Sequence, residues 1–203
     1  MLRLFGDRRS GNCYKVVRIL ELTGRRYEWI ETDVLRGETR TDRFLTANPN
    51  GKVPLLQLRD GSFLAESNAM LIHLAEGTPY LPEDGIERAR VFQWLFFEQY
   101  SHEPYIAVAR FLLQYDHGQE PDPGRMSMLH ERGLQALGVM ENVLTRQRFI
   151  AGGRFSIADI ALYAYTHVAG DSGFELDPFP AVCAWLVRVA DRPGHFDLDT
   201  MPV

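Results

Sequence analysis

Cysteine is scarce in this chain: 203 residues hold two, Cys13 and Cys183. So few, so far apart, give no disulfide framework, and they fit a protein kept in a reducing compartment. Metal-ligand pairs are missing as well. The six histidines, at positions 73, 102, 117, 130, 167 and 195, include no two at the three- to five-residue spacing that sets two ligands on one helix face, so no metal is expected. Neither GxGxxG nor GxxxxGKS/T occurs, which leaves nucleotide binding without a phosphate loop. The start, MLRLFGDRRSGNC, lacks the apolar core of a signal peptide, and no later run is long enough to span a bilayer. A cytoplasmic protein without membrane association is therefore expected. A net charge of -5 argues against a general attraction to nucleic acid.

What is present has the balance of an ordinary globular protein, with 45% hydrophobic and 24% charged residues. The first 78 residues alternate between two periodicities. Leu2 to Phe5 is a short apolar run ended by Gly6, and Tyr27 to Glu31 is aromatic and branched; both read as strands. Between them Cys13, Val16, Val17 and Leu20 recur on one face of a helix that Gly24 closes. A weakly helical stretch from about Arg36 to Thr46 precedes a third strand over Val53 to Leu58. Asp60-Gly61 then makes a hairpin to Ser62-Phe63-Leu64-Ala65, and Ser67 caps a helix stopped by Gly77. This is the βαβ-ββα order of a thioredoxin-like domain over residues 1–78.

Residues 79–85, with two prolines and a glycine, read as a linker. Beyond it strand signals vanish, and residues 86–203 read as an all-helical bundle domain. Its first part, 86–115, is aromatic-rich and carries Pro104, which should kink or break the helix just before it. A turn is expected over 119–124, and further helices over about 125–146, 157–169 and 180–191. Phe155-Ser156-Ile157-Ala158-Asp159-Ile160 reads as a helix start with Ser156 at the cap and Asp159 bonding back to it, so Asp159 is taken as structural.

Three segments carry the chemistry. The turn Ser10-Gly11-Asn12-Cys13 follows the first strand and opens a helix, where free backbone N–H groups and the helix dipole favour an anion. A dithiol enzyme would need Cys-x-x-Cys there; Ser10 removes that nucleophile. Ser10 has two readings, a helix cap or a donor to a bound thiolate that lowers its pKa. Asn12 is either a second orienting group or a turn residue, and Cys13, on the apolar face, reads as a buried thiol. In Asn48-Pro49-Asn50-Gly51-Lys52-Val53-Pro54, a proline at a strand start is explained by a cis bond that bares the Val53 backbone to an extended peptide, or by a simple strand start. Glu66-Ser67, at a helix start, is either a plain cap beside a solvent-exposed acid or a seat for an amino-acid head group, amine on Glu66 and carboxylate at the helix end.

Taken in this order and spacing, these segments resemble the cytosolic glutathione transferase superfamily, in particular its bacterial theta- and nu-like members, over nearly the whole chain. The resemblance implies a thioredoxin-like domain with a helical partner and a homodimer. It also implies glutathione as co-substrate. Ser10 would activate the thiol with Asn12 addressing the sulfur, Val53 before cis Pro54 would pair with the cysteinyl backbone, Glu66 and Ser67 would hold the γ-glutamyl end, and Lys52 would contact the tripeptide. A hydrophobic electrophile or a disulfide would lie against the aromatic face of 92–115, with Phe97, Tyr100, Tyr105 and Phe111 as candidates. Conjugation of glutathione to an electrophile, in detoxification, is the leading activity. Glutathione-dependent reduction of disulfides or peroxides is an alternative on the same site, and a non-catalytic binding module is an alternative on the same fold.

Overall fold

The computed structural model describes residues 1–115 and 120–203. His117 and Gln119, the first residue of the expected 119–124 turn, lie outside them. The chain divides into two compact units, Met1–Thr78 together with Phe196–Val203, and Pro79–His195. The sequence places all of 86–203 in the helical domain; residues 196–203 instead group with the first unit. There Phe196 accepts a hydrogen bond on its carbonyl from the Tyr14 hydroxyl (3.0 Å), stacks edge-on with the Tyr14 ring and lies under the Arg18 guanidinium.

The first unit is a thioredoxin-like βαβ-ββα domain. It runs β1 (Leu2–Gly6), α1 (Gly11–Leu22), β2 (Tyr27–Glu31), a 3-10 turn (Glu38–Arg40), α2 (Asp42–Ala47), β3 (Leu55–Gln57), β4 (Phe63–Leu64) and α3 (Ser67–Ala75). The sheet order is β2-β1-β3-β4. β1 and β2 are parallel, Leu2 opposite Tyr27, with α1 as the crossover between them. β3 and β4 return antiparallel, with Leu4 opposite Leu56 and Leu56 opposite Leu64. α1 and α3 pack together, and Cys13, Val16, Val17 and Leu20 are fully buried with Met70, Leu71 and Leu74 of α3. Gly6 ends β1 because nothing larger fits: a Cβ there would sit 2.3 Å from the Trp29 ring and 3.1 Å from the Cys13 sulfur.

Two local expectations change. β3 is shorter than Val53 to Leu58, since Pro54 has no N–H to give the ladder. Ser67 is not the cap of α3 but its first residue; Glu66 holds the cap position at φ 67°, ψ 112° and makes no side-chain capping bond. That φ lies in the left-handed region that residues other than glycine rarely adopt.

The second unit is helical: α4 (Gly85–Phe97), a π-helical turn (Glu98–His102), α5 (Glu103–Gln114), α6 (Pro123–Leu144), α7 (Ile157–Thr166) and α8 (Pro180–Ala190). Pro104 falls in the first turn of α5, and the π-turn occupies the place of the expected break. All ten residues of α7 are buried, as befits a helix apolar on every side with α4, α5 and α8 against it. Its start carries the expected capping box. The fully buried Asp159 carboxylate accepts from the Ile150 and Ser156 N–H groups and from Trp185 Nε1, each at 2.9 Å. Burial pushes this carboxyl up to about 6, against the pull of those bonds.

Candidate functional site

The turn that delivers Ser10 is pinned from below. Asp7 is buried and its carboxylate takes the Arg9 side chain in two contacts, 2.8 and 2.6 Å, while accepting the Arg9 and Val34 backbone N–H groups. Burial alone would raise the Asp7 carboxyl; the hydrogen bonds from Arg9 and Val34 prevail and hold it below the usual range. Arg9 also reaches Asp33 at 2.7 Å, tying the turn to the segment after β2. The Ser10 N–H then closes the turn on the Asp7 carbonyl at 3.0 Å.

Ser10 is the N-cap of α1: its oxygen accepts from the Cys13 N–H at 3.3 Å. The two readings of this serine do not compete. A hydroxyl has two acceptor lone pairs and one donor, and capping uses only a lone pair. The first turn of α1 contains no acidic residue, so the helix dipole there is not offset. Cys13 is fully buried beneath Ser10, and burial pushes its thiol up to about 12, which removes it as a competing nucleophile.

Asn12 and Ser67, far apart in sequence, meet. The Ser67 hydroxyl donates to Asn12 Oδ1 at 3.2 Å, and Lys15 Nζ donates to the same oxygen at 2.7 Å and to Ser67 Oγ at 3.5 Å. Lys15 is wholly buried. It is the residue that sequence reasoning missed. A lysine among Cys13, Val16 and Val17 on an apolar helix stretch breaks the pattern, and that break was the available signal.

The Val53–Pro54 bond is cis. Pro54 is buried, and among the described residues Val53 makes no backbone hydrogen bond, so its N–H and C=O stand open to an extended ligand. Lys52 is exposed, and its carbonyl is held by Asn48 Nδ2 at 2.8 Å. Glu66 is exposed at the start of α3, with Ser67 buried beside it. No acidic residue occupies the first turn of α3, which leaves that helix end suited to a carboxylate.

In the helical unit, Phe97 ends α4 edge-on to Trp94, with ring centres 5.0 Å apart. Tyr100 lies on the π-turn and is 82% exposed. Tyr105 and Phe111 belong to α5; Tyr105 is half-buried, and Phe111 is exposed and tilted against Tyr115. None of the four belongs to the buried core. Among the described residues no three His, Cys, Asp or Glu side chains are grouped to hold a metal, and no helix is long and apolar enough to cross a membrane.

A model of the glutathione S-transferase N-terminal domain matches residues 9–76, and a model of the glutathione S-transferase C-terminal domain matches residues 115–193. The probable glutathione S-transferase GSTF2 of Oryza sativa subsp. japonica is 32% identical over 202 residues, covering 95% of this chain and 93% of the rice protein. Protein URE2 of Eremothecium gossypii is 28% identical over 94% of this chain, which spans 65% of that protein's length. Among solved structures, a glutathione S-transferase from Pseudomonas fluorescens is 51% identical with a TM-score of 0.94, covering 97% of this chain and 98% of that one. The glutathione transferase URE2P8 from Phanerochaete chrysosporium, solved with oxidized glutathione, is 27% identical with a TM-score of 0.85, covering 95% and 90%.

Proposed function

Because this chain belongs to the glutathione S-transferase family, we propose that it is an enzyme that binds glutathione and activates its thiol for transfer to an electrophilic small molecule. The observation that carries this reading is the joining of the two α-helix starts: Asn12 of α1 and Ser67 of α3 share a hydrogen bond at 3.2 Å. Both helix ends then serve one ligand, α1 for the sulfur and α3 for the γ-glutamyl carboxylate. Bound glutathione supplies the nucleophilic sulfur. The residues act around it: Ser10 donates its O–H, the open Val53 backbone before cis Pro54 takes the peptide, Glu66 takes the amine, and Lys52 reaches the tripeptide. The serine in the first turn and the asparagine two residues on favour a theta- or nu-like member. The exposed aromatics Tyr100 and Phe111, with Phe97 and Tyr105, offer an apolar surface for the electrophile. A cytoplasmic homodimer in detoxification completes the reading.

Reduction of disulfides by bound glutathione is the second reading, favoured by the likeness to a transferase solved with oxidized glutathione. The test is a pair of assays, conjugation and disulfide reduction, preceded by a melting scan with glutathione. A ligand that binds only the folded state must raise Tm. Ser10→Ala should cut turnover on the order of a hundredfold while largely sparing glutathione affinity. A protein with no glutathione-induced shift is a binding module of another kind, and unchanged turnover in Ser10→Ala removes the serine from its role.

A further inference from the structure

We propose that Lys15 is a positioning residue for the thiol site: its Nζ locks the Asn12 carboxamide so that the donor end, Nδ2, is the end offered to the sulfur of bound glutathione. This rests on the glutathione-binding reading above.

A carboxamide has a carbonyl oxygen and an NH2 group on opposite branches, and which one faces a ligand decides its effect. An N–H aimed at a thiolate favours the ionised form; an oxygen in the same place disfavours it. Ser67 alone does not settle the choice, because a hydroxyl serves as donor or acceptor and adapts to either orientation. Lys15 does settle it. Its Nζ is a donor only, it lies 2.7 Å from Asn12, and it is wholly buried, so no water competes for it. Turning the carboxamide over would set Nδ2 against that donor. The oxygen is therefore held inward by Lys15 and by the Ser67 hydroxyl at 3.2 Å, and the NH2 is turned away from both. The same Nζ lies 3.5 Å from Ser67 Oγ, a longer contact than the one to Asn12.

Titratable groups near this end of α1 include Asp7, Arg9, Cys13, Glu31 and Glu66. Asp7 is paired with Arg9, Cys13 is buried under Ser10, and Glu31 and Glu66 are exposed. The Asn12→Ala background below separates what Lys15 does through the carboxamide from what it does through its other contacts.

The experiment follows the thiolate absorbance of glutathione bound to the protein as a function of pH, with the Kd of glutathione measured in parallel by calorimetry. Lys15→Met, an apolar chain of similar length, should raise the apparent pKa of the bound thiol by about one unit, a roughly tenfold loss of thiolate at a fixed pH below it. Lys15→Arg, also a donor only, should restore most of the shift. In an Asn12→Ala background Lys15→Met should add no shift, since the lever is gone. Asn12→Asp, which keeps Lys15 and deletes the NH2, should raise the pKa as well, and it serves if Lys15→Met does not fold by circular dichroism. An unchanged pKa in Lys15→Met, or in Asn12→Asp, overturns the proposal. So does an equal shift with and without Asn12, which would make Lys15 act through its charge. A loss confined to Kd would place Lys15 at the γ-glutamyl end and overturn it too. Wild-type protein that binds no glutathione overturns the functional reading and this one with it; any of the preceding results with normal wild-type binding overturns this one alone.

Discussion

The Ser67 hydroxyl and the Asn12 carboxamide oxygen lie 3.2 Å apart across fifty-five residues of sequence, and this bond joins the starts of α1 and α3. Removing the hydroxyl in Ser67→Ala leaves Lys15 on Asn12 but loosens the α3 start. The expected outcome is glutathione binding weaker by about fivefold, from a lost hydrogen bond worth about 1 kcal/mol. Calorimetric titration checks it; an unchanged Kd removes Ser67 from the glutathione site.

Cys13 and Cys183 should differ sharply toward a thiol reagent. The Cys13 thiol is fully buried and pushed up to about 12, while Cys183 is only half-buried. A folded group whose pKa is raised stays protonated where the unfolded chain ionises, so Cys13 resists labelling at pH 8 until the protein unfolds. One thiol per chain should react in buffer and two in denaturant. Fast modification of Cys13 in the native protein contradicts its placement.

Two glycines of α6 should respond in opposite senses to alanine. A Cβ at Gly133 would sit 2.3 Å from the Phe174 ring, whereas one at Gly138 would meet nothing within 4 Å. Gly138→Ala should therefore stabilise the protein by about 1 kcal/mol through helix propensity alone. Gly133→Ala gains the same propensity and loses more to overpacking, about 1–3 kcal/mol. Denaturant midpoints of the two variants decide the matter.

Asp159 links stability to mild acid. Its carboxyl is raised from 3.8 to about 6 by burial, so between those values the folded protein keeps a proton that the unfolded chain releases. The contribution of this group falls as pH rises through that window and is flat above it. Asp159→Ala strips the capping box and leaves Trp185 Nε1 and two buried N–H groups without their acceptor, a loss of about 3–5 kcal/mol. The gap between wild type and variant should widen as pH drops from about 6 toward about 4 in urea titrations. A gap that narrows there shows a carboxyl with a lowered pKa.

Much of this architecture is legible in local chemistry. The strand and helix order of residues 1–78 follows from the alternation of periods two and 3.6, and the Ser156–Asp159 box follows from spacing alone. Pro54 after Val53 announced its backbone by sitting where a ladder donor was needed. The rest depends on contacts between distant parts of the chain. Ser67 looks like a cap because nothing local reveals that Glu66 adopts φ 67° and takes that place. Lys15 hides because a lysine near an apolar face is ordinarily a solvated one, and its contacts to Asn12 and to Ser67 of α3 form only when the chain folds. The π-turn before Pro104 leaves no mark beyond the proline itself, since a π-turn and a simple break look alike in sequence.

The return of Phe196–Val203 to the first unit also fixes the order in which that unit is completed during synthesis. Phe196, which covers Tyr14 and Arg18, leaves the ribosome only after every residue of the helical unit has been made. Until then the nascent thioredoxin-like unit lacks part of its covering, so the second unit has the chance to fold before the first is finished.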